Sequence, residues 1–137
     1  MSTTIRPELS EKSKYWIERH RYYELKHFCL QYYIWKKEYE RLDGYAKASL
    51  NHSGKKNNIS DPTAVCAENR EYYFNRMKMI ELTAVKADFE LSEYILKAVT
   101  NGLTYNALKM QFNIPCCRDV FYDRYRKFFW LLDEVRK

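Results

Sequence analysis

Four side chains near the C-terminus, Arg118, Tyr122, Arg126 and Lys127, have the types and spacing to grip a polyanion from one helix. An arginine fork can donate two parallel N–H bonds to guanine O6 and N7, whereas Lys127 and Arg126 suit phosphate. Arg118 and Tyr122 stand nearest the start of the stretch, the part that reaches base edges when a helix docks in a major groove. Lys109 and Thr104, upstream, complete the candidate nucleic-acid-binding set. Asp119 and Asp123 interrupt it, because carboxylates repel phosphate unless they pair with Arg124, Arg126 or Lys127 along the helix. A second basic cluster, Lys14, Arg19, Arg21 and Lys26, is interleaved with Tyr15, Trp16, Tyr22 and Tyr23. Such a mixture either stacks on single-stranded bases or serves as core with basic neighbours.

Other chemistry finds little footing. His20, His27 and His52 form no arrangement with Cys, Ser or a carboxylate that spacing identifies as a triad. Glu90 and Glu93 share a helix face, but no HExxH pattern accompanies them and no Gly-rich phosphate loop is present. Cys29, Cys66, Cys116 and Cys117 include no CxxC pair, so no zinc site is expected. The adjacent Cys116 and Cys117 read as two small residues at a helix start or as a redox pair. No catalytic residue, metal or cofactor is expected, and the chain does not read as an enzyme.

Helices must position these groups. The apolar positions Leu25, Phe28, Tyr32, Trp35, Tyr39 and Leu42 recur every three or four residues, the signature of one helix face. They predict a helix from 15 or 22 to 42, closed by Asp43-Gly44. The stretch 51–60 has almost nothing to bury and reads as a polar mobile loop. Ser60 or Asp61 followed by Pro62 suits the start of a second long helix, running to about 88. Tyr73, Met77, Ile80, Ala84, Ala87 and Leu91 give it a matching stripe, which predicts an antiparallel helical hairpin with the first in preference to an intermolecular coiled coil, the stripes being short for one. A helix over 91–99 then stops at Asn101-Gly102, Thr104 caps a short helix, Asn113-Ile114-Pro115 breaks the chain, and a last helix covers about 116–135. Phe121, Tyr125, Phe128 and Leu132 are the inward face of that last helix. The predicted segments are therefore 1–43, a loop over 44–62, 63–90, and a helix-turn-helix-like unit over 91–137.

Totals agree with an all-α chain. Only 3 Gly and 3 Pro in 137 residues leave little room for many tight turns, while 13 Tyr and 7 Phe suit half-buried helical surfaces. Net charge is +6, which fits a polyanionic partner. The excess lies at the ends: 12 Lys/Arg against 8 Asp/Glu over 1–62, 5 against 6 over 63–100, and 7 against 4 over 101–137. No apolar run of about eighteen residues exists to span a membrane. The opening Met-Ser-Thr-Thr-Ile-Arg-Pro lacks the apolar stretch of a secretory signal, so a cytoplasmic location in a bacterial host cell is expected.

The run Gly102-Leu103-Thr104-Tyr105, then Leu108, Phe112, Asn113 and Ile114, then a long basic aromatic helix, resembles the helix-turn-helix of sigma-factor region four. It is equally similar to phage late-gene transcriptional regulators of the ArpU and RinA type. The segments around residues 23–35 and 114–130 also resemble prophage and mobile-element proteins of Firmicutes. The resemblance implies that 116–132 is the recognition helix and that double-stranded DNA is the partner. It further implies a sequence-specific transcriptional regulator encoded by a phage or mobile element. The N-terminal hairpin would then make a homodimer or contact RNA polymerase or another host protein. The sequence departs from that pattern at Lys109, where a small residue usually stands. Two other readings stay open: a phage inhibitor docking on a host nucleic-acid enzyme, in the manner of an anti-CRISPR protein, and a small terminase-like DNA-packaging subunit.

Overall fold

A computed structural model describes residues 14–51 and 62–137, with side chains over 14–44 and 64–137. Six α-helices are found among them and no strand: α1 Arg19–Leu30, α2 Tyr32–Asn51, α3 Pro62–Ala87, α4 Ser92–Asn101, α5 Tyr105–Phe112 and α6 Arg118–Val135. The all-α expectation is met. The predicted lead-in 1–13, the predicted loop from 52 and the Ser60-Asp61 start lie outside the described residues, as does His52. No described helix is long and apolar enough to cross a membrane.

Two elements differ from their expected bounds. The first long helix is interrupted at Gln31, whose φ of −85° and ψ of −2° leave the α-helical ladder. Its N–H bonds Phe28 O at 3.2 Å, one residue short of an α-helical bond, and its side-chain amide donates to His27 O at 3.3 Å. A one-residue break barely changes the phase of the stripe, so Leu25, Phe28, Tyr32, Trp35 and Leu42 are all buried despite it. The second difference is at Gly44: α2 runs through it to Asn51 instead of stopping at Asp43. Glycine inside a helix costs only about 1 kcal/mol relative to alanine, which neighbouring helix formers can offset.

The chain divides into two compact units, residues 32–78 and the rest. In the first, α2 and the early part of α3 meet through side-chain contacts. The Cys66 thiol donates to Leu42 O at 3.3 Å, Arg70 pairs with Asp43 at 3.1 Å, and Tyr39 and Phe74 rings lie 5.9 Å apart.

The second unit holds α1, the end of α3, and α4 to α6. Its centre is fully buried: Leu25, Ile80, Ile95, Leu108, Ile114, Phe121, Phe128 and Leu132 all have no exposed surface. Each such side chain contributes about 1.5–3 kcal/mol by leaving water. α6 is the hub, packed on by α1, α4 and α5. Polar ties reinforce the α1–α6 contact: Arg21 Nε donates to Asp133 at 2.6 Å, and the Tyr22 and Tyr125 hydroxyls meet at 3.0 Å. Asp88 closes the α3–α4 turn by accepting the Leu91 N–H at 3.0 Å and Arg124 Nε at 3.0 Å.

Candidate nucleic-acid interface

Tight backbone closures bracket α5 and set its direction. Gly102 ends α4 in the left-handed conformation (φ 69°), and the Leu103 N–H returns to Ala98 O at 3.1 Å. Thr104 then caps α5, its hydroxyl accepting the Ala107 N–H at 3.2 Å, so the residue expected at the interface is an N-cap. Asn113 ends α5 with φ 51°, again left-handed, and asparagine is the usual alternative to glycine there. Cys117 is the N-cap of α6 and provides no side-chain cap bond. The last helix therefore starts two residues beyond the expected Cys116.

Four polar contacts fix α5 against the start of α6. The Tyr105 hydroxyl donates to Cys116 O at 2.6 Å, and the Tyr105 N–H donates to the Tyr122 hydroxyl at 3.3 Å. Lys109 Nζ reaches Ile114 O at 3.3 Å, and Arg118 Nη2 donates to Asn106 Oδ1 at 2.6 Å. Arg118 also lies over the Tyr105 ring, 5.9 Å from its centroid. Lys109 is exposed and turned onto the inter-helix loop, so a long side chain fits where the resemblance leads one to expect a small one.

These contacts redistribute the expected site. Arg118 is exposed but leans on α5 instead of standing outward. Tyr122 is half-buried, its hydroxyl spent on the first N–H of α5 and its ring against Phe121 and Tyr125. Arg126 and Lys127 are half-buried on the body of α6, with no ion pair among the described residues. Asp123 is neutralised by Arg124 at 2.6 Å, whereas Asp119 stands exposed in the first turn. Between Phe121 and Asp133 no α6 side chain is fully exposed, so the body of the expected recognition helix offers little free face.

The open surface lies on α5 and the turn. Asn106, Lys109, Met110, Gln111 and Asn113 are exposed, Met110 at 86%, and Arg118 adjoins them through Asn106. Asn106 and Met110 were not among the expected site residues, yet one signal for this open surface was readable: no Asp or Glu occurs between Glu93 and Asp119. That gap leaves α5 without a carboxylate to repel phosphate.

The second basic cluster is mostly absorbed by packing. Arg21 is paired with Asp133 and with Glu24, Tyr22 packs edge-on to Phe129 at 5.1 Å, and Tyr15 meets Trp130 at 5.8 Å. Lys14 and Arg19 sit over the rings of Tyr15 and Tyr23, while Lys26 is half-buried on α1. The cysteines fall into two kinds. Cys29 is fully buried, and that burial pushes its thiol well above the usual range. Cys116 is half-buried and also raised, by burial first and by its neighbour Cys117 second, while Cys117 itself is exposed. No cluster of three His, Cys, Asp or Glu side chains suited to a metal ion occurs among the described residues. His20 and His27 stand exposed on α1. In the smaller unit, an open cleft of about 290 Å³ is lined by Tyr39, Ala67, Arg70, Glu71 and Phe74. Comparison with protein-family models, with curated proteins and with solved structures finds no match to this chain.

Proposed function

We propose that this chain binds duplex DNA in a sequence-specific manner through α5 and the first turn of α6, as a transcriptional regulator encoded by a phage or mobile element. The observation that carries the reading is Arg118, an exposed guanidinium at a helix start, held by Asn106 and the Tyr105 ring beside an α5 that has no carboxylate; Asp119 is the one carboxylate in the first turn of α6. A guanidinium restrained in this way loses less freedom on reaching a base edge than a free one. Lys109 and the uncapped N-terminus of α6 add attraction for phosphate. The resemblance to sigma region four and to the late-gene regulators supports the regulatory role. In that role the helical pair of the smaller unit serves dimerisation or contact with RNA polymerase.

The test is a titration of duplex DNA at increasing salt. The logarithm of affinity should fall linearly with the logarithm of salt, and Lys109→Gln should reduce that slope by about 1. A parent protein that binds no duplex at low salt, or whose binding ignores salt, overturns the reading.

A second reading rests on a different surface. Leu82 and Val85 share a face at the end of α3 and Phe89 follows in the α3–α4 turn, exposed at 52%, 41% and 78%. Such an apolar stripe suits a protein partner, as in an inhibitor seated on a host nucleic-acid enzyme. Capture of one such enzyme from host extract by the parent, lost in Phe89→Ser while duplex binding is absent, would favour it.

A further inference from the structure

Asn106 is the only described side chain that holds the Arg118 guanidinium by a hydrogen bond, at 2.6 Å, and both residues are exposed. We infer that Asn106 sets the base preference of Arg118, by fixing which edge of the guanidinium faces the DNA. The inference rests on the duplex-binding reading above and goes beyond it by naming the base and the positioning residue.

A guanidinium carries five N–H donors in a planar fork and no acceptor. One donor of Nη2 is committed to Asn106 Oδ1, and the Tyr105 ring lies against the group at 5.9 Å. Two constraints on a plane, one hydrogen bond and one ring, remove most of its rotation. The remaining donors can then meet two acceptors side by side, which in the major groove are O6 and N7 of guanine. Without Asn106 the same guanidinium is free to swing to any phosphate, a contact that carries no sequence information. The cost of ordering a long side chain on binding corresponds to a few-fold to about tenfold in affinity, and Asn106 removes part of it beforehand.

Asn106 is thus a positioning residue, and a carboxylate in its place separates the two roles. Asn106→Ala removes the acceptor; Asn106→Asp keeps an acceptor but adds charge facing phosphate. The experiment selects bound duplexes from a pool with a randomised centre, using the parent, Arg118→Ala, Asn106→Ala and Asn106→Asp, with thermal melting of each protein alongside. The parent should enrich guanine at one position, and Arg118→Ala should abolish that enrichment. Asn106→Ala should lower the guanine preference by roughly three- to tenfold, with its salt slope close to the parent's because a neutral side chain releases no counterion. Asn106→Asp should keep the guanine preference while weakening binding to every duplex. Guanine enrichment in Asn106→Ala equal to the parent's overturns the inference and leaves duplex binding standing. A parent that enriches no duplex at all overturns both. Equal loss of preference in Asn106→Ala and Asn106→Asp, with lowered melting in each, assigns Asn106 a role in folding alone and also overturns the inference.

Discussion

Tyr122 is where sequence and structure assign opposite roles, and one substitution separates them. From spacing alone Tyr122 faces the bases; in the structure its hydroxyl accepts the Tyr105 N–H at 3.3 Å. That N–H opens α5, and the first four N–H groups of any helix lack a partner within it. α5 has eight residues, too short to persist without tertiary support. Tyr122 satisfies one of its opening donors and Thr104 another, the Ala107 N–H at 3.2 Å. Tyr122→Phe keeps the ring against Phe121 and Tyr125 and removes the hydroxyl alone. A neutral hydrogen bond contributes about 0.5–1.5 kcal/mol, and this one is long and partly open to water, so about 0.5–1 kcal/mol should be lost. For a chain of this size that corresponds to a fall in melting temperature of about 2–4 °C. The assay pairs melting by far-ultraviolet circular dichroism with duplex titration at fixed salt. Stability should fall by the stated amount while duplex affinity stays within about twofold, the change expected from loosening a support and not a contact. Unchanged melting together with a tenfold or greater loss of duplex affinity would refute the reasoning and return Tyr122 to the bases.

Four further outcomes rest on the same packing. Thr104→Ala removes the cap of α5 and should destabilise by about 1 kcal/mol, with exchange of amide hydrogens in α5 accelerated before that in α6. Tyr22→Phe and Tyr125→Phe each break the hydroxyl contact at 3.0 Å, and the double variant should lose less than the sum of the singles, a coupling of about 1 kcal/mol read from urea unfolding. Burial first, then Tyr22, raises the Tyr125 hydroxyl well above its ordinary 10. Its contribution to stability is therefore complete below pH 10 and lost as pH rises beyond it, and Tyr125→Phe should flatten that alkaline loss. Among the cysteines, exposed Cys117 should react first with an aromatic disulfide reagent in the native protein, and Cys29 and Cys66 only on unfolding. Fast native labelling of Cys29 would contradict its burial.

Much of the fold was legible because it depends on local rules. The stripes Leu25 to Leu42 and Tyr73 to Leu91 report helix faces whatever lies opposite, and all their members are buried except the half-buried Tyr39 and Tyr73. Gly102 and Asn113 announce left-handed closures by residue type, and Thr104 a cap. The break at Gln31 left no such mark, since neither glycine nor proline stands there and the stripe continues across it. Consequently one predicted hairpin became two packing environments, with α1 joining α4 and α6. Arg118 and Tyr122 were placed outward on α6 because a helical wheel knows only one helix. Their true direction depends on α5, through Asn106 and the Tyr105 N–H, and a contact between helices has no periodicity to read.

Packing also places the open surface on α5 and not on the body of α6. α6 buries Phe121, Phe128, Phe129 and Leu132 and is held by Arg21 and Tyr22 from α1, by Tyr105 from α5 and by Asp88 from the α3–α4 turn. A helix engaged on three sides keeps no fully exposed side chain from Phe121 to Asp133. Groove insertion needs a free face, and such a face would have to be taken from the core that holds the unit together. α5 meets the opposite condition: only Leu108 is buried, and its outer residues are uncharged or basic. The long helix therefore acts as the scaffold, and the short helix, with Arg118 at the scaffold's first turn, is the surface left exposed, where the proposed duplex contact would fall.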